Sequence, residues 1–167
     1  MTEPLLRGYT IFCDDIRNEA GGKTTFVGVY DAILLIHGDF PFLLAKFGFG
    51  IRYMEKRNTF TDDVIIRIFM PGESEDGEPS FQGLLPIREA RDKVQMHPDA
   101  DADPASPRYL QLATNLVFSP FIIPQKGEMK VRAQCGSEIV KIGTLLIAKA
   151  PSEDGAQPNA NASQPPS

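Results

Sequence analysis

The sequence has no tryptophan, and only two cysteines and two histidines among its 167 residues. Cys13 and Cys135 are too few for a disulfide framework or a metal cluster. Both fall inside strand-like runs, where a free cysteine behaves as a small hydrophobe rather than as the exposed, electropositive nucleophile that catalysis needs. A bridge between them requires the first and penultimate strands to be neighbours, and a reducing cytoplasm argues against it. His37 and His97 lack metal-ligand spacing to another His or Cys and read as strand-end or loop residues. With 9% aromatics and no tryptophan, a sugar-stacking platform has little to build on. Long apolar runs are missing too. Residues 32–36 and 40–45 are short and split by His37, Gly38 and Asp39, so a transmembrane helix is excluded on length. The opening Met-Thr-Glu-Pro carries no basic segment followed by an apolar one, so no secretory signal is expected and the cytoplasm is the expected compartment.

Charge is sparse in one direction. The net charge is −5, and residues 71–107 hold nine acidic residues against Arg88, Arg91 and Lys93, a net of −6 that leaves the remainder at +1. No basic stripe tracks phosphates, so nucleic acid is not an expected partner. Apolar content of 42% and charged content of 23% are those of an ordinary globular chain long enough to bury one sizeable core.

What is present is β-patterning. Residues 8–31 contain two runs rich in Ile, Val, Phe, Tyr and Thr, at 9–16 and 24–30, joined by a polar turn ending in Gly21-Gly22. That is a β-hairpin signal, the glycines supplying the φ > 0 conformations of a tight connection. Phe47, Phe49, Ile51 and Tyr53 alternate with Lys46, Gly48, Gly50 and Arg52, the period of a half-buried strand. The glycines on the outer side imply a bend or a closely approaching backbone. Val64, Ile66, Ile68 and Met70 form a second inward set before Pro71-Gly72 ends the strand, and 73–79 reads as an exposed acidic loop. A further strand is expected at 81–87, ended by Pro86, and one short helix near 87–96. Residues 97–107, with three prolines and three aspartates, read as a long surface loop. Leu110, Leu112, Leu116 and Phe118 alternate with polar or smaller residues, and Pro120 and Pro124 bracket an apolar corner. Met129, Val131, Ala133 and Cys135 alternate with Lys130, Arg132 and Gln134, and Gly136-Ser137 turns into a long closing strand. The expected organisation is a lead-in at 1–7, one domain over 8–150, and a disordered tail at 151–167 that has no large apolar residue to offset its ordering entropy. The expected fold is an all-β antiparallel sandwich of about seven to nine strands, with a β-barrel as the alternative.

The segments Phe12-x-Asp14-Asp15, Gly22-Lys23, Gly28-Val29-Tyr30-Asp31 and Phe40-Pro41, with the later Lys126-Gly127-Glu128-Met129-Lys130-Val131, resemble a bacterial family of small uncharacterised all-β proteins, a domain of unknown function. The likeness spans roughly residues 8–149, with the acidic middle poorly matched. It implies a compact bacterial β-domain and carries over no catalytic residues.

Candidate chemistry is thin. Asp14 and Asp15 could form half of a metal site or an acid–base pair. Adjacent strand residues point to opposite faces, however, so only one can enter a given pocket. A structural role, with Arg17 or Lys23 as ionic partner, is favoured. Asp99, Asp101 and Asp103 imitate the first three ligand positions of an EF-hand. Pro104 and Leu110 then stand where the motif needs Gly and Glu, which leaves a solvated loop or loose Ca²⁺ binding. Gly48-x-Gly50 is not followed by a helix, and the Gly-x-Ser-x-Gly and Walker A motifs are absent. The sequence therefore predicts a non-enzymatic β-sandwich that binds an unknown protein or small ligand and uses no cofactor. Two alternatives stay open, a calcium- or small-ligand-binding sandwich using 99–103 and a structural subunit of a larger or phage-like assembly.

Overall fold

A computed structural model of the chain describes residues 7–56, 63–85 and 109–151. The strands, in order, are β1 (Gly8–Glu19), β2 (Lys23–Tyr30), β3 (Ile33–Ile36), β4 (Phe42–Leu44), β5 (Phe47–Lys56), β6 (Val64–Phe69), β7 (Phe81–Leu85), β8 (Tyr109–Phe118), β9 (Phe121–Ile123), β10 (Gly127–Cys135) and β11 (Glu138–Lys149). They form a four-stranded sheet ordered β2-β1-β5-β8, a five-stranded sheet ordered β3-β11-β10-β6-β7, and a two-stranded ribbon β4-β9. None of these sheets closes on itself, so the architecture is the sandwich and not the alternative barrel. Three strands of three or four residues, β3, β4 and β9, raise the strand number among the described residues to eleven. The helix expected near 87–96 and the loop at 97–107 lie outside the described residues.

The opening hairpin pairs Glu19 with Lys23 next to the turn, and Gly21 and Gly22 adopt φ of 78° and 73° there. Those dihedrals are open to glycine at little steric cost. Among the described residues all pairings are antiparallel except one, β3 against β11, which runs parallel from Leu146↔Ile33 to Lys149↔Ile36. A parallel pair needs a long crossover, and here nearly the whole domain separates the two strands in sequence.

The core lies between the two larger sheets. Phe47, Phe49, Ile51 and Tyr53 of β5 are wholly buried, as their period of two demands, and meet Val64, Ile66 and Ile68 of β6 and Met129, Val131 and Ala133 of β10. The sheets approach tightly where β1 lies against β11. A Cβ on Gly143 would sit 2.7 Å from the Thr10 Cβ, so only glycine fits at that crossing. The outer-face glycines of β5 have a different cause from the expected bend or backbone approach. A Cβ on Gly50 would lie 2.3 Å from the Phe26 ring, and one on Gly48 would lie 2.9 Å from the Cys13 Sγ. Side chains of β2 and β1 lie across these positions, an aromatic covering the bare glycine backbone.

Candidate functional site

Asp14 and Asp15 stand at consecutive positions of β1, and the fold gives them separate partners. The Tyr30 hydroxyl donates to Asp14 Oδ1, and the Tyr30 ring stacks on Phe47 with centroids 5.8 Å apart. Burial, and then the Asp14 carboxylate, hold the phenol well above its ordinary range. Gly28 makes this pair sterically feasible. Its φ is 64°, and a Cβ there would come within 1.9 Å of Asp14 Oδ2. Asp15 instead faces Lys46 at 3.4 Å and Arg17 at 3.7 Å, and accepts from the Ile16 N–H. Slight burial pushes its carboxyl up, but Lys46, the Ile16 N–H and Arg17 outweigh this and hold it below the usual carboxylate range. Arg17 is thus an ionic partner of Asp15. Lys46, which the sequence reading did not select, is the other. Lys23 lies at the hairpin turn, paired in register with Glu19.

This arrangement is poorly suited to proton transfer. A general acid or base works best with a pKa near the operating pH, and Tyr30 is displaced away from it. Cys13 beside it is fully buried, its Sγ directed at the Gly48 carbonyl at 3.7 Å. Burial and the neighbouring Asp14 raise the thiol to about 11, so it is not a nucleophile at neutral pH. Cys135 belongs to the other sheet, and neither cysteine is in a disulfide. Among the described residues no group of three or more His, Cys, Asp or Glu side chains is placed to hold a metal ion. Asp99, Asp101 and Asp103, the calcium candidates, lie outside the described residues, as does His97.

The acidic loop at 73–79 is largely exposed as expected, but two of its glutamates, Glu73 and Glu75, are half-buried and tied down. Glu73 turns back to accept from the Met70 N–H at 2.8 Å and from the Ser80 hydroxyl at 2.5 Å, fastening both ends of the loop. Glu75 reaches over to β10, the neighbour of β6, and takes Arg132 in a two-pronged ion pair at 2.7 and 2.8 Å, with Lys130 at 3.4 Å. Arg132 is 3% exposed, and its Nη1 donates to the carbonyls of Val131 and Gly143. The Arg132 hydrogen bonds lead the interactions that hold the Glu75 carboxyl down at about 2, against a smaller opposing effect of burial. All three guanidinium nitrogens are engaged, so this cluster clamps the loop.

The β4-β9 end presents an apolar surface. In the β4-β9 ribbon Leu43 pairs with Ile122, and both are about three-fifths exposed, at 60% and 59%. The ribbon is held from beneath. Ile123 is wholly buried, and Phe121 stacks on Phe47 with centroids 4.8 Å apart. Successive strand residues point to opposite faces, so anchoring Phe121 and Ile123 turns Ile122 outward. Phe42 and Leu44 pack against the same core, which turns Leu43 outward beside it. Ile122 also borders a shallow cleft with Met70, Pro71, Glu73, Pro124 and Gln125. Two of the cleft's walls are fixed, since Glu73 is bonded as above and Gln125 donates to the Pro71 carbonyl at 3.1 Å. Sequence reasoning placed an apolar corner between Pro120 and Pro124 and assigned it no role. The available signal was its three consecutive apolar residues, one of which must face away from any core in an extended strand. Comparison with protein-family models, curated proteins and solved structures finds no match to this chain.

Proposed function

We propose that the chain is a non-enzymatic interaction module whose β4-β9 end docks on an apolar surface of a protein partner. The observation that carries the reading is the Leu43–Ile122 pair. Two large aliphatic side chains stand side by side and mostly exposed on a ribbon that the aromatic core holds fixed. Burying the exposed three-fifths of each side chain against a partner gains about 1–2 kcal/mol apiece. Little ordering cost offsets it, because the ribbon is already anchored. The Asp14–Tyr30 and Asp15–Lys46 contacts then serve the fold. Kinship with the bacterial β-domain family and a place in the cytoplasm belong to the same proposal, on the residue likeness over 8–149 and on Cys13 and Cys135 lying in different sheets with no disulfide. The test is capture from a bacterial lysate by the wild-type chain and by L43S/I122S, with circular dichroism showing both folded. A protein retained by the wild type and lost by the double variant supports the reading. Turnover in a broad activity screen that Asp14→Ala or Asp15→Ala abolishes would refute it.

A further inference from the structure

We propose that β8 is a self-pairing edge, through which two copies of the chain join their four-stranded sheets antiparallel across a two-fold axis at Thr114. Each of the larger sheets ends in an edge strand on either side, and three of the four edges are blunted. The edge strand β2 starts at Lys23 and is interrupted by the left-handed Gly28, β3 has four residues, and β7 has five. Short length, charge and local distortion are the devices by which sheets avoid edge-to-edge association.

The fourth edge has none of them. Strand β8 runs ten residues, Tyr-Leu-Gln-Leu-Ala-Thr-Asn-Leu-Val-Phe, with no charged side chain and no proline. Its register with β5 is unbroken from Phe47↔Phe118 to Lys56↔Tyr109. Among the described residues its hydrogen-bonded neighbour is β5 on one side only. The backbone donors and acceptors of the other side form a regular template for another strand.

A second copy is the occupant that the strand's own pattern favours. In a two-fold antiparallel pairing, inner-face residues meet inner-face residues. An axis at Thr114 sets Leu112 opposite Leu116 of the second copy and Thr114 opposite its own equivalent, both favourable cross-strand pairs. Moving the axis to Ala113 would set Leu112 against Thr114 and lose the threonine pair, although Leu110 would then stand opposite Leu116. With no charge on the strand, the two copies meet without repulsion. On the outer face the Thr114 axis sets Gln111 opposite Val117, both exposed. The Leu43–Ile122 surface lies elsewhere, on the separate β4-β9 ribbon, so either proposal can fail alone.

Sedimentation equilibrium of the full chain at high micromolar concentration, with three sequences compared, tests the pairing. The wild type is expected to have twice the chain mass. Q111K/V117K, which places like charges opposite each other twice, is expected to raise the dimer dissociation constant roughly tenfold or more while circular dichroism stays native. Q111K/V117E, which places opposite charges in the same two positions, is expected to restore the dimer, more weakly as salt is added. A monomeric wild type overturns the proposal. So does a dimer indifferent to Q111K/V117K, or a Q111K/V117E variant that dissociates as readily as Q111K/V117K.

Discussion

Glu75→Gln tests the loop clamp, because its effect must change with pH in a definite direction. In the folded chain the carboxylate is gripped by Arg132 and approached by Lys130, which lowers its pKa from 4.5 to about 2. Without screening, that shift corresponds to about 3 kcal/mol. The Glu75 side chain is one-third exposed, whereas that of Arg132 is 4% exposed. Solvent screening at the carboxylate end therefore reduces the expected contribution to about 1–2 kcal/mol. A depressed folded-state pKa stabilises above the unfolded pKa and loses that stabilisation as pH falls through the folded value. The contribution is thus complete at neutral pH, starts to fade below 4.5 and is spent near 2. Urea unfolding of wild type and Glu75→Gln should differ by about 1–2 kcal/mol at pH ~7, and by less than about half of that at pH ~3. A difference that stays constant across this range would refute the clamp. Glu75→Ala should be worse than Glu75→Gln, because it leaves a buried guanidinium with two unpaired donors.

Three other outcomes follow from the packing. Gly28→Ala should lower stability by about 1–3 kcal/mol, since it demands φ of 64° from alanine and drives a Cβ into Asp14. A melting temperature unchanged from wild type would contradict this. Phe49→Ala, at a wholly buried position touching Phe12, Phe47, Phe118 and Phe121, should cost about 3–5 kcal/mol in denaturant titration. Cys13, fully buried and with its thiol raised to about 11, should resist a thiol-labelling reagent in the native protein at pH ~8 and react on unfolding. Mass spectrometry of the labelled peptides would show a flaw in the packing if Cys13 reacted as fast as Cys135.

The parts of the fold visible in the sequence were those in which one face is buried and the other is not. Strands β5, β6 and β10 alternate clearly because each has a core side and a polar or small side. The hairpin of β1 and β2 announced itself through Gly21-Gly22. Pairing partners distant in sequence left no such trace. Nothing local marks β3 as the parallel neighbour of β11, and Arg132 reads like any solvent-facing residue of an alternating strand until Glu75 is brought onto it from 57 residues away. The same limit applied to the aspartates. Period-two geometry assigned Asp14 and Asp15 to different sides, but Tyr30 and Lys46 as their partners depend on the sheet order β2-β1-β5. The Leu43–Ile122 surface was hidden for another reason. Two three-residue strands are too short to show a period, and their apolar outer residues look like core.

The most direct measurement of the interaction reading is the loss of a captured partner when only the exposed pair is changed. With L43S/I122S, the far-ultraviolet spectrum and unfolding midpoint should match wild type, because neither side chain contributes to the buried core, while the partner retained by wild type should be lost. An unchanged set of captured proteins from a folded L43S/I122S variant would contradict the account.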